Sequence, residues 1–106
     1  MQLHFTFKHI ESDPNLQEFV SHKSETLKKY FEGKISLNWV FSIERQNKIA
    51  HCHLLGNHMD YFAEGISTNF PTSAEIALEK VEKQIHKHKE IIKNHHSQRL
   101  GSVSSS

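Results

Sequence analysis

Cysteine occurs once in the 106 residues, at Cys52, so no disulfide forms within the chain and a reducing compartment suits it. An excess of charge of one sign is lacking too. Thirteen Lys and Arg against twelve Asp and Glu leave a formal net charge of +1. No bulk basicity therefore steers the whole chain to nucleic acid. No stretch approaches the ~20 apolar residues of a membrane span, so no membrane association is expected. The opening Met1–Gln2–Leu3–His4–Phe5 has neither the basic nor the continuous apolar region of a secretory signal, and a cytoplasmic location is expected. Catalytic signatures are absent as well: no Gly-rich phosphate loop, no activated nucleophile, no paired carboxylates in a recognisable context. We expect no enzyme activity, no cofactor and no small-molecule substrate.

What is present is histidine and a pattern. Ten histidines are many for this length. Their protonation near pH 6 adds positive charge, so attraction to polyanions should rise as pH falls. The hydrophobic pattern switches period several times along the chain. Leu3, Phe5 and Phe7 alternate with His4, Thr6 and Lys8, which predicts a half-buried strand. Asp13–Pro14 suits a helix start, with Asp13 as cap. That helix is predicted to run to about Glu32, closed by a left-handed Gly33, with Leu16, Phe19, Val20, Leu27, Tyr30 and Phe31 on its apolar face. Leu37, Trp39, Phe41 and Ile43 then alternate with polar neighbours in a second strand. Arg45–Gln46–Asn47–Lys48 reads as a turn. Ala50, Cys52 and Leu54 mark a third strand, Gly56–Asn57–His58 a turn, and Met59 to Ser67 a fourth strand. Phe70–Pro71–Thr72–Ser73 opens a last helix.

The order is β-α-β-β-β-α. One apolar face per strand and one stripe per helix predict an α+β fold, a mixed four-stranded sheet with both helices packed on one face. Strands one and two should be parallel, and strands two to four antiparallel. His4, Thr6, Asn38, Ser42, His51 and His53 should then face water. Residues 1–97 make one domain, and 98–106 read as a Ser-rich disordered tail.

The last helix carries the sharpest functional pattern. Ala74, Ala77, Leu78, Val81, Ile85, His88 and Ile92 fall on one face. Lys80, Lys83 and Lys87 line up beside it, with Gln84 between. Glu75, Glu79, Glu82 and Glu90 fall mostly on a third strip. Segregated lysines beside a packed face suit an anionic partner such as a phosphate backbone. The plainer reading is a solvated face with Glu–Lys pairs such as Glu79–Lys83.

These residues also carry a resemblance. Phe7–Lys8–His9–Ile10, Glu18–Phe19–Val20 followed by Lys23, Leu27, Tyr30 and Phe31, and above all Glu79–Lys80–Val81–Glu82–Lys83–Gln84–Ile85–His86–Lys87–His88–Lys89 are similar to segments of the ribosome hibernation-promoting factor family. Its members have also been called ribosome-associated inhibitors or sigma-54 modulation proteins. The last stretch resembles the family's Lys-aliphatic-x-Arg/Lys-Gln-aliphatic-x-Lys-x-Lys helix. Two positions depart. Asn69–Phe70–Pro71 stands where many members have Asp-Met-Tyr, and Thr26 where a basic residue is common. The length resembles the short form, without a C-terminal dimerisation domain.

The resemblance implies a protein that binds the small ribosomal subunit and its rRNA near the decoding centre. It would inhibit translation in stress or stationary phase by sterically excluding mRNA and tRNA, and would be monomeric off the ribosome. The implied RNA-binding residues are Lys23, Lys80, Lys83, Lys87 and Lys89. Lys23 has a second reading, since lysine in an apolar stripe snorkels. Lys28 and Lys29 suit the helix dipole without any ligand. His51 and His53 share a strand face, but a metal site needs further converging ligands, so no metal is expected. His88 reads as a packed histidine, and Cys52 points inward, away from chemistry. The alternative function is a double-stranded-RNA-binding-like module that does not act on ribosomes. Such binders usually place their basic residues at a helix N-terminus, whereas here they run along a helix middle.

Overall fold

A computed structural model describes residues 1–31, 33–56 and 59–97, with the side chains of the last helix as far as Lys87. The elements are β1 (Gln2–Phe7), α1 (Pro14–Ser24), a 3-10 segment (Glu25–Tyr30), β2 (Ser36–Glu44), β3 (Asn47–Gly56), β4 (Met59–Ser67) and α2 (Phe70–Ser97). The expected tail 98–106, the turn residues Asn57 and His58, and the side chains of His88, Lys89, Glu90 and Ile92 lie outside the described residues.

The sheet order is β1-β2-β3-β4. β1 runs parallel to β2, with Leu3 opposite Leu37 and Phe5 opposite Trp39. β2–β3 and β3–β4 are antiparallel. This is the mixed sheet that the alternation predicts. Leu37, Trp39, Phe41, Ala50, Cys52, Leu54 and Ala63 form its buried face. Leu16 and Val20 of α1 and Ala74, Ala77, Leu78, Val81 and Ile85 of α2 pack over it. Phe41 centres an aromatic column. Phe7 stacks on it at 5.3 Å and Trp39 at 5.9 Å, while Phe70 meets it edge-on at 5.6 Å. Such pairs add about 0.5–1.5 kcal/mol each beyond area burial.

Local chemistry explains the helix starts. Asp13 Oδ1 accepts from the backbone N–H of Asn15 and Leu16, and Pro14 stands at the first helical position. Asn69 Oδ1 accepts from Thr72 N at 2.8 Å, so asparagine does at α2 what an N-cap aspartate does. The buried Ser73 then ties α2 to the sheet. Its hydroxyl donates to the Lys48 carbonyl at 2.6 Å and lies 2.7 Å from Ser67 Oγ.

Three boundaries differ from the pattern. The first helix does not continue as an α-helix towards Glu32. It tightens to 3-10 geometry at Glu25, where the Thr26 hydroxyl donates to the Lys23 carbonyl at 3.0 Å. The chain leaves it extended at Phe31 (φ −133°), and Gly33 does not take the left-handed conformation. The turn after β2 is only Arg45 and Gln46. Asn47 and Lys48 pair with Glu44 and Ile43 instead, and Arg45 supplies the reversal at φ 61°. Ile43 keeps strand alternation but is 44% exposed, next to the reversal at the end of β2.

Cys52 is fully buried, as the alternation predicts. Desolvation pushes its thiol up to about 12 from an ordinary 9.0. Thiol reagents should therefore react at neutral pH only as the chain unfolds. The sign for stability follows. The folded thiol stays neutral while the unfolded one ionises from 9.0 upward, so stability should fall as pH rises from 9.0 towards 12. Denaturant titrations across that range, with Cys52→Ala as reference, check this. Equal pH slopes would exclude it.

Candidate nucleic-acid interface on the helical face

The two helices lie side by side over the sheet, and their charges meet in a set order. Between them runs a groove of about 510 Å³ lined by Lys23, Thr26 and Lys29 on one wall and Glu75, Glu79 and Glu82 on the other. The acidic strip of α2 thus faces the basic residues of the first helix. Lys23 Nζ lies 3.3 Å from Glu75 Oε2 and 5.6 Å above the Phe19 ring. Its side chain is 45% exposed. It snorkels, as expected, and its ion pair is a surface one of about 0–1 kcal/mol. Such a pair exchanges readily for a stronger anion. The mixed signs make the groove itself a poor anion site.

The lysines of α2 lie on the outer side, about 10 Å from Lys80 to Lys87 along the helix axis. All three are exposed. Lys83 and Lys87 have no partner among the described residues. Lys80 differs, because its Nζ donates to the Glu64 carbonyl at 2.8 Å. Gln84 does the same to Phe62 O at 2.9 Å. β4 is an edge strand, and these two side chains satisfy carbonyls along it. Lys80 retains two further N–H donors for a ligand. The structure thus brings Lys80, Lys83 and Lys87 into one row and puts Lys23 beyond the acidic strip of α2, across the groove from Glu75, Glu79 and Glu82. The side chain of Lys89 lies outside the described residues.

Two features were not legible in the pattern. Tyr30 Oη lies 2.9 Å from His86 Nε2, with the rings edge to face at 5.1 Å, and this clamps the 3-10 segment to α2. Gly65 of β4 is the second. A Cβ there would overlap the Ser73 carbonyl oxygen and come within 2.9 Å of Ala77 N. The helix backbone therefore rests directly on β4. The only trace in sequence is an isolated glycine inside an alternating run.

Two histidines of the open sheet face, His51 and His53, bind carboxylates. His51 Nε2 lies 2.7 Å from Glu64 Oε2, and His53 Nε2 lies 2.6 Å from Asp60 Oδ1. No group of three metal-ligating side chains occurs among the described residues. No described helix is long and apolar enough to cross a membrane.

Comparison with known proteins agrees with this architecture. The family model described as "Sigma 54 modulation protein / S30EA ribosomal protein" matches residues 3–93. A ribosome hibernation promoting factor of Escherichia coli (strain K12) is 29% identical over 100 residues, covering 90% of this chain and all of that one. One from Klebsiella oxytoca is 26% identical over 95 residues, with the same coverage. Among solved structures, a ribosomal subunit interface protein from Coxiella burnetii superposes with TM-score 0.74 at 19% identity, covering 85% of this chain and 99% of that one. The Protein Y N-terminal domain of Thermus thermophilus superposes with TM-score 0.76 at 16% identity, covering 83% and 99%. At those identities the likeness is one of fold.

Proposed function

Because the chain belongs to the Sigma 54 modulation protein / S30EA ribosomal protein family, we propose that it is a ribosome hibernation factor whose helical face binds rRNA of the small subunit. The observation that carries this is the row of exposed lysines on α2, two of them unpartnered among the described residues, beside a packed and structurally fixed face. Lysines so held meet a phosphate backbone without ordering a loop, and they read shape and charge rather than base sequence. Lys23 joins them from beyond the acidic strip by exchanging Glu75 for phosphate. Lys89, which by sequence phase falls on a different strip of the same helix, is the remaining candidate contact.

The site we propose is the channel near the decoding centre where mRNA and tRNA lie. Inhibition there is steric exclusion and uses no covalent step. One protein then silences one ribosome, without turnover. Messenger and initiator tRNA compete with it, and by linkage it lowers their affinity by the same factor. Off the ribosome the chain acts as a monomer in the cytoplasm.

Adding purified protein to a defined translation reaction at rising ratios to ribosomes tests this. Inhibition should saturate near one to one, and preloaded initiation complexes should relieve it. In sucrose gradients the protein should migrate with small subunits and whole ribosomes. Inhibition at sub-stoichiometric amounts would point to an enzyme. Protein found only at the top of the gradient would favour an RNA-binding module that does not act on ribosomes.

A further inference from the structure

The face of the sheet opposite the helices is not uniformly polar. Leu55, Phe62 and Ile66 are three of the four large exposed hydrophobics among the described residues, and all stand on that face of β3 and β4. Phe62 is 52% exposed. Two imidazoles brace its ring, His51 at 5.3 Å and His53 at 5.9 Å between centroids. Each imidazole is held in turn by a carboxylate next along β4, His51 by Glu64 and His53 by Asp60. The outward side chains of β4 therefore read Asp60, Phe62, Glu64: an exposed aromatic ring with an acid on either side.

An ionised carboxylate only accepts hydrogen bonds, so each imidazole must donate through Nε2–H. Each acid spends one oxygen on its histidine. Asp60 Oδ2 and Glu64 Oε1 remain for a ligand, and their side chains are 67% and 44% exposed. No Lys or Arg occupies an open-face position of the four paired strands. A phosphate-bearing strand would meet two acids and no strand cation there. A cation that is also flat would find every group it needs. Arginine has a plane to lay on a ring, five fixed N–H donors and a weakly held hydration shell, whereas lysine has only a compact charge.

We propose that Phe62, with Asp60 and Glu64 beside it, is a docking site for an arginine of a basic polypeptide partner. The guanidinium lies on the Phe62 face and donates to the two free carboxylate oxygens. Leu55 and Ile66 receive the apolar part of the same segment. This site lies on the sheet face that the helices leave open and meets the lysine row only at the β4 edge, where Lys80 donates to Glu64 O; Lys83 and Lys87 bind no described residue and so separate the two sites in a test.

The test is an NMR titration of the full chain with a short capped peptide of alternating arginine and serine, its lysine counterpart, and a single-stranded oligouridylate. The arginine peptide should shift the amides around Phe62, His51 and His53, and the lysine peptide should bind more weakly. Phe62→Ala should weaken arginine-peptide binding about two- to fivefold. Asp60→Asn with Glu64→Gln should weaken it about tenfold. Lys83→Gln with Lys87→Gln should leave it unchanged. Retained dispersion of the amide spectrum shows that each variant is folded. No shift at Phe62, equal binding of the two peptides, or an unaffected Phe62→Ala variant would overturn the proposal. Oligouridylate shifting Phe62 would overturn it in favour of a nucleobase platform.

Discussion

Replacing Lys83 and Lys87 together by Gln is expected to weaken ribosome binding about thirtyfold, or ~2 kcal/mol at roughly 1 per exposed charge-assisted hydrogen bond. The fold should survive, since both side chains are exposed and bind no described residue. The slope of log affinity against log salt should fall by roughly one for each phosphate that is no longer neutralised. Lys80→Gln should act differently. It gives up its charge towards phosphate and also the hydrogen bond to Glu64 O, so a stability loss of about 1 kcal/mol should accompany the weaker binding. Lys28, paired with Glu25 at 3.1 Å, lies apart from the row and serves as the control. Sedimentation binding at several salt concentrations reads all of these. An unchanged affinity and slope in the double variant would exclude this surface.

The second large effect is at Gly65. Alanine there should destabilise the domain by about 3 kcal/mol or more, because its methyl group meets backbone rather than a side chain that could move. The Ser73 carbonyl belongs to the first turn of α2. That turn is fixed from both sides by the Asn69 cap and by the Ser73 hydroxyl on Lys48 O. Relief would need the whole helix to lift off β4. Denaturant melts should show a lower midpoint. If the variant still folds, it should also bind ribosomes more weakly, as the lysine row shifts relative to Lys23. A midpoint within the range of ordinary surface substitutions, about ±0.5 kcal/mol, would rule out this account.

The strands and the α2 core face were legible because one side of each is buried, and burial imposes a period. Leu3, Phe5 and Phe7, or Ala50, Cys52 and Leu54, announce their face by alternation alone. The lysine row was legible for the same reason: it sits beside a stripe with a fixed phase. What the pattern missed depends on single pairings in space. Thr26 looks like any helix residue until its hydroxyl takes the Lys23 carbonyl. Lys80 looks like its neighbours Lys83 and Lys87 until the sheet edge comes within 2.8 Å. Arg45 carries no mark of a residue at φ 61°. The braces of Phe62 depend on cross-strand register, which places Glu64 opposite His51. Two histidines two residues apart do not reveal that.

Parallel pairing of β1 with β2 also bears on how the chain assembles. β2 and β3 meet through a two-residue reversal, and β4 follows β3 at once, so this meander forms by local pairing. β1 must instead wait for the span carrying α1 to close as a loop, whose entropy is spent before any pairing repays it. The strand left unpaired longest is then Gln2–Phe7, an aromatic-bearing segment without Lys, Arg, Asp or Glu that presents Leu3, Phe5 and Phe7 on one side. In a dilute chain the delay is harmless. In a crowded one, the slowest strand to dock is where two half-folded copies would stick together first.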